Sequence, residues 1–257
     1  NELQSPDVAI DAVARLIAKD PVMTAKMLQL VNSAYFALPR EVTDPVEAVM
    51  FLGAERTRSL ILLAKVFSQF DKHQCEGFHL EELWRHSLAV GSYAHLICQT
   101  ERKDTRLADQ AFTAGLLHDI GKLLLAGNLP EPYGRVLDQA QRRKLPPVTV
   151  EAEVFGATHA ELGACLLGTW GLPLGILEAI AWHHRPTLSE DKEFSLLTAV
   201  HASNAIDHEK RAEAADILVS RMDPAYIQRL DLGGRRNRWR ELCESPTKAV
   251  DEVSEKN

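Results

Sequence analysis

The segment Gly115-Leu-Leu-His-Asp-Ile-Gly-Lys122 lies inside a stretch, residues 106–126, whose apolar positions recur with the 3.6-residue period of a helix. Leu116, Leu117, Ile120, Leu123 and Leu124 surround the adjacent His118 and Asp119, so both polar side chains are expected to face a buried site. Burying an imidazole beside a carboxylate is costly unless something neutralises and ligates them. A divalent cation does both, because neutral imidazole and carboxylate are good ligands for iron, manganese and zinc. For the pair taken alone, a histidine satisfied within the core is the competing reading.

The rest of the chain supplies helices and little else. Asp20-Pro21 reads as an N-cap followed by proline in the first turn, opening a helix through Met23, Met27, Leu30 and Val31. Asp44-Pro45 repeats the device, with Glu47 three residues after the cap, and that helix stops near Gly53. A helix over 55–70 carries Leu60, Ile61, Leu63, Ala64 and Phe67 on one stripe, and residues 71–79, with Gly77, form a connection. Further helices are predicted over 81–98, 106–126, 174–182 and 194–206. Another begins at a Thr158/Glu161 capping box, which puts His159 in its first turn, and ends at Gly171 and Pro173. Leu145-Pro146-Pro147 reads as a loop, and the region after Lys210 is charged and weakly periodic. The expectation is an all-α protein in which an N-terminal helical subdomain (1–78) packs on a metal-binding helical subdomain (79–210), followed by a charged C-terminal helix or tail (211–257).

Charge and cysteine usage exclude several classes. The formal net charge of −7 weighs against a general nucleic-acid binder, and the basic cluster of Arg235, Arg236, Arg238 and Arg240 reads as a solvated face. Cys75, Cys98, Cys165 and Cys243 are scattered without a CxxC pair, which fits a reducing cytoplasm better than a disulfide framework. Apolar runs such as residues 60–64 fall far short of the ~20 residues that span a bilayer. The chain begins at Asn1 rather than methionine, so an upstream segment is expected.

The other histidines strengthen the metal reading. His86, His118, His159, His183, His184 and His201 all lie on or at the ends of helices in the second half. Glu82 and His86 are four residues apart, on one helical face that can address one centre. His183-His184 sits at a helix C-terminus, where adjacent side chains diverge, and His201 lies beside an apolar stripe. Trp84, Trp170 and Trp182 are expected in the core, and His73, His79 and His208 at the surface. Asn32-Ser33 is expected to cap a helix end.

The order His86, His118-Asp119, His159, His183-His184, His201 resembles the ligand ladder of the HD phosphohydrolase superfamily, and most of all its HD-GYP branch. The stretch Leu16-Ile-Ala-Lys-Asp-Pro-Val-Met-Thr-Ala-Lys-Met-Leu-Gln-Leu-Val-Asn-Ser-Ala-Tyr35, together with Ala48-Val-Met-Phe-Leu-Gly53, resembles the start of HDOD domains, the HD-related output domains of bacterial signalling proteins. The resemblance implies that Asp119 bridges two ions when two are present and that His118 is a terminal ligand. It matches His86 to the upstream histidine and Glu82 to a carboxylate found in some sites with additional metal. His159, His183 and His184 match ligands of the second ion, and His201 falls where the last ligand is usually an aspartate. Lys122 matches a lysine that contacts substrate phosphate; a solvated helix residue is the alternative.

Two departures bear on activity. Many HDOD domains have lost these ligands and are non-catalytic, whereas this chain keeps most of them. The Gly-Tyr-Pro signature is absent, since His184 is followed by Arg185-Pro-Thr-Leu-Ser189. The first expectation is a signalling domain that binds one or two divalent ions (iron, manganese or zinc) with little or no turnover. It would act with a protein partner, outside the membrane and without general nucleic-acid binding. The alternative is a metal-dependent phosphohydrolase or phosphodiesterase acting on a nucleotide or cyclic dinucleotide, with Asp119 and Lys122 in catalytic roles. An oxygen-dependent di-iron enzyme is a third, weaker reading.

Overall fold

A computed structural model describes residues 40–70, 75–212 and 221–244, together with positions 24, 25, 27, 28, 31 and 32. Every regular element among the described residues is helical, so the all-α expectation holds. No helix among them is long and apolar enough to cross a membrane. The chain divides into two compact units, one of residues 1–68 with 244–257 and one of residues 69–243.

Among the described residues, the first unit carries nearly all of α1 (Pro45–Phe70), capped by the Asp44 carboxylate, which accepts from the Val46 N–H at 3.0 Å. Gly53, at φ 74° and ψ 167°, kinks it where the sequence places a stop. Asn32 differs from its expected capping role. Its amide nitrogen donates to the Val42 carbonyl and its amide oxygen accepts from the Val42 N–H, both at 2.7 Å, so it pins a passing stretch of backbone. The helix start expected at Asp20-Pro21 lies outside the described residues, although Met27 and Val31 are buried.

The second unit contains α2 (Leu80–Arg102), α3 (Thr105–Leu117), α4 (Ile120–Asn128), α5 (Pro130–Arg143), α6 (Pro147–Phe155), α7 (His159–Thr169), α8 (Leu174–Trp182), α9 (Leu196–Ala212), α10 (Pro224–Arg229) and α11 (Arg236–Glu244). α3 lies along α2 and α9, α4 along α7, and α7 along α8. The single helix expected over 106–126 is two. His118 still has helical dihedrals, but Asp119 sits at φ −103°, ψ 10°, which turns the chain between α3 and α4. α5 and α6 are additional to the predicted set. Prolines occupy their first turns, where a missing N–H costs nothing, and Lys144 and Gly156 close them in left-handed conformations.

The C-terminal region is better packed than its charge suggests. Trp239 of α11 is fully buried and donates its indole N–H to Glu101 at 3.0 Å. Arg236 and Arg240 pair with Glu209, so much of the basic cluster is spent in ion pairs.

Two close helix approaches set the centre of this unit. A Cβ on Gly115 would lie 2.8 Å from the Val90 carbonyl oxygen, so α2 and α3 meet backbone to backbone. A Cβ on Gly121 would lie 1.9 Å from the His159 carbonyl oxygen, so the start of α4 abuts the start of α7.

Candidate metal centre

Helix ends aim most of the centre's side chains. His118 and Asp119 occupy the turn between α3 and α4, and His183-His184 follows the last residue of α8. His159 opens α7 behind the expected capping box, in which Thr158 and Glu161 each accept from the other's main chain. His86 is the exception, projecting from within α2.

The imidazoles are held in one sense. The Nδ1–H groups of His118 and His183 donate to the carbonyls of Gly115 and Ile180, each at 2.7 Å and each three residues back. His86 Nδ1 donates to Asp207 at 2.5 Å, and His159 Nδ1 to Glu151 at 2.6 Å. With Nδ1 committed, Nε2 of each ring is left to face the centre, the arrangement by which outer partners orient histidine ligands of metals.

Asp119 stands between two groups of these nitrogens. Its Oδ2 lies 3.4 Å from His118 Nε2 and 3.6 Å from His86 Nε2. Its Oδ1 lies 3.1 Å from His159 Nε2 and 3.8 Å from His183 Nε2. The His86 and His118 Nε2 atoms are 3.2 Å apart, and those of His159 and His184 are 3.0 Å apart. Donors sharing one ion through bonds of about 2.1 Å sit roughly 3–3.5 Å from one another. Within each group, His86/His118/Asp119 and Asp119/His159/His183/His184, the donor atoms fall within 4.8 Å of one another. Asp119 Oδ1 and His183 Nε2 are buried and left unsatisfied among the described residues, with His159 Nε2 standing 3.1 Å from the carboxylate oxygen. Buried polar atoms left this way call for an ion or water, and the donor set fits a divalent cation.

The electrostatics agree, with one exception. Burial works against ionisation of Asp119, but His118 and Lys122 outweigh it and hold the carboxyl well below its usual range. Burial, then the neighbouring imidazoles, press His183 and His184 well below the usual histidine range, so both are neutral and able to ligate. Burial lowers His86 as well. His159 goes the other way: burial opposes its charge, yet the Glu151 carboxylate raises it, while Glu151 is itself lowered, against its burial, by His159. Protons and a metal ion compete most directly at His159.

The cluster brings together His86, His118, Asp119, His159, His183 and His184 of the predicted site residues. Glu82 is not among them; its side chain is exposed one turn before His86. His201 is close but fully engaged. Its Nδ1–H donates to the His183 carbonyl at 2.7 Å and its Nε2 accepts from the Asp223 N–H at 2.8 Å, which leaves no ring nitrogen for an ion. Its place is to fix the backbone of His183. Lys122 donates to Asp119 Oδ2 at 2.6 Å.

Several participants escaped the sequence reading. Glu151 is fully buried and accepts from both the Nδ1–H and the main-chain N–H of His159, with the Tyr133 hydroxyl at 3.3 Å. It lies on α6, a helix the pattern did not predict. Asp207 and His208 lie on the last turns of α9, beyond the predicted helix end at 206; the His208 ring packs 4.7 Å from that of His86 rather than at the surface. A helix carried through to Lys210 would have put His208, seven residues on, on the same side as His201. Asn204 is fully buried with neither amide atom partnered. Trp84 is buried as expected, but Trp170 is 44% exposed.

The comparisons with known proteins agree with this picture. The chain is 28% identical over 151 residues to a ribonuclease Y of Thermus thermophilus and 25% identical over 205 residues to an uncharacterised protein of Treponema pallidum. These matches cover 59% and 79% of this chain but only 20% and 39% of the two relatives, so the chain spans a minor part of the curated proteins it matches. Two crystal structures share the fold. One is an HDOD domain protein of unknown function from Geobacter sulfurreducens (24% identity, TM-score 0.66, 95% of this chain and 89% of that one). The other, from Marinobacter aquaeolei VT8, is provisionally named a signal transduction protein (19%, TM-score 0.69, 98% and 55%). The family model for the HDOD domain matches residues 1–186, and the chain belongs to the HDOD domain family.

Proposed function

We propose that this chain is an HDOD signalling domain that holds one or two divalent metals in two adjoining donor groups, Asp119/His159/His183/His184 and His86/His118/Asp119, with little or no turnover. The observation that carries the reading is the buried pair Asp119 Oδ1 and His183 Nε2, 3.8 Å apart and each without a hydrogen bond, among histidines whose Nδ1 atoms are already committed. A histidine-rich donor set favours iron, manganese or zinc over magnesium. The signalling role rests on family membership and on the name of the Marinobacter neighbour, and it implies a protein partner in the pathway. Cys75, Cys98 and Cys165 are free thiols, which suits work in a reducing cytoplasm.

The position of Lys122 supports low turnover. The residue matched to a phosphate-binding lysine donates instead to Asp119 and is largely covered, so it is not poised for a substrate. A second reading, a metal-dependent phosphohydrolase or phosphodiesterase, is favoured by the likeness to ribonuclease Y. A cation in the centre would supply Lewis acidity toward a phosphoryl oxygen. Asp119 and the histidines would hold it, and Lys122, released from Asp119, would face the phosphate.

Metal analysis of the purified chain, followed by assay against bis-p-nitrophenyl phosphate, cyclic dinucleotides and RNA with added manganese or iron, separates the two. Stoichiometric metal with no hydrolysis is the expected result. Turnover abolished by Asp119→Ala would establish the enzyme instead, and protein without stoichiometric metal would end both readings.

A further inference from the structure

The two halves of the centre are not equivalent. Asp119 Oδ2, the oxygen turned toward His86 and His118, already has a cation on it: the Lys122 ammonium at 2.6 Å, from the first turn of α4 three residues on. Asp119 Oδ1, turned toward His159 and His183, has no hydrogen-bond partner. The unpartnered His183 Nε2 belongs to this second group too. That group offers three imidazole nitrogens and an open carboxylate oxygen, whereas the first offers two nitrogens and an oxygen in use.

From this asymmetry we infer that the centre takes one divalent ion tightly, at Asp119 Oδ1 with His159, His183 and His184, and that the Lys122 ammonium is the resident cation of the His86/His118 half, holding a second ion at low affinity. The inference rests on the metal-binding reading and adds an order of filling to it. An ion entering the first half must take Oδ2 from Lys122 and stand beside both that ammonium and the first ion, and like charges at such separations repel strongly in a buried site. Lys122 is anchored for the task. It follows Asp119 by less than one turn at the start of α4, and its side chain is 18% exposed, so its charge stays near the carboxylate instead of dispersing into solvent.

The test uses the full chain, stripped with chelator and titrated with Mn2+ or Zn2+ by calorimetry, with bound metal counted by mass spectrometry after dialysis. Wild type is expected to hold one ion per chain, with any second ion at least tenfold weaker. Lys122→Met keeps the length of the side chain and removes its charge; it should strengthen the second ion by tenfold or more and move the count toward two, whereas Lys122→Arg should stay at one. His86→Ala should leave the first ion in wild type and remove the second from Lys122→Met, while His184→Ala should remove the first. Two equally tight ions in wild type would overturn the inference without any variant. An unchanged count in Lys122→Met that is folded by circular dichroism would also overturn it, leaving metal binding itself intact. Failure of wild type to bind either metal would overturn the metal reading and this inference with it.

Discussion

Gly121→Ala is the substitution whose effect on this centre follows most directly from geometry. The new Cβ would stand 1.9 Å from the His159 carbonyl oxygen, 2.7 Å from its carbonyl carbon and 2.9 Å from the Gly163 nitrogen, all backbone atoms that no rotamer change can move. Reaching an ordinary contact of 3.4 Å requires α4 and α7 to separate by about 1.5 Å (3.4 − 1.9). Asp119 is carried just before α4 and His159 on the first turn of α7, so their 3.1 Å approach widens with the helices. Metal–ligand distances tolerate deviations of about 0.2 Å. The expected result is loss of the ion shared by Asp119 and His159, with affinity down by about 100-fold or more, the upper end of what disturbed ligand positioning costs. Overpacking of this kind typically costs about 1–3 kcal/mol, a fall in Tm of roughly 2–12 °C for a domain of this size. Two further variants calibrate the reasoning. Gly163→Ala meets the Gly121 nitrogen and Ile120 Cγ2 at 3.1 Å and should be milder. Gly168→Ala meets only Leu177 Cδ1 at 3.5 Å and should be neutral, or stabilising by up to about 1 kcal/mol through helix propensity. Calorimetric metal titration and thermal denaturation of all three would refute the argument if Gly121→Ala kept wild-type metal content and Tm.

Other perturbations test the supporting residues. Glu151→Gln keeps an acceptor for His159 but removes the charge that orients it, and should weaken metal binding about 10- to 100-fold with the fold retained, as read by competition with a chelating dye. The metal-free protein should lose stability on acidification. His86, His183, His184, His201 and His208 have lowered folded-state affinities for protons, so the unfolded chain binds more protons and stability falls as pH drops below about 6.5; His159, which is raised, opposes this as one group against five. Denaturant titrations between pH 8 and 5 should show that slope, and a flat profile would contradict the assignment of neutral buried imidazoles. Metal affinity should fall over the same range, because protons compete for the same nitrogens. Asn204→Leu replaces a buried amide that no group among the described residues satisfies, and should stabilise the metal-free chain by on the order of 1 kcal/mol in chemical denaturation; a loss of that size would mean that the amide is satisfied after all.

Much of this was legible in the residues in order. Caps and apolar periods marked most of the helices, because both are local: Asp44, and Thr158 with Glu161, act on backbone within three residues of themselves. His118-Asp119 stood out because a charged pair inside an apolar stretch has few stable fates, and the five histidines that join Asp119 in the cluster could be named from their places at helix ends or on apolar faces. The chain order did not disclose which oxygen of Asp119 meets which histidine, that Lys122 occupies one of them, or that His201 spends both ring nitrogens on backbone. It also did not disclose that Glu151 and Asp207 hold His159 and His86. Those facts depend on distances between helices far apart in sequence, set by backbone contacts such as Gly121 against His159. A sequence carries donor chemistry and local helix signals in each residue, whereas the spacing of a few ångströms that turns donors into a site exists only once the helices are packed.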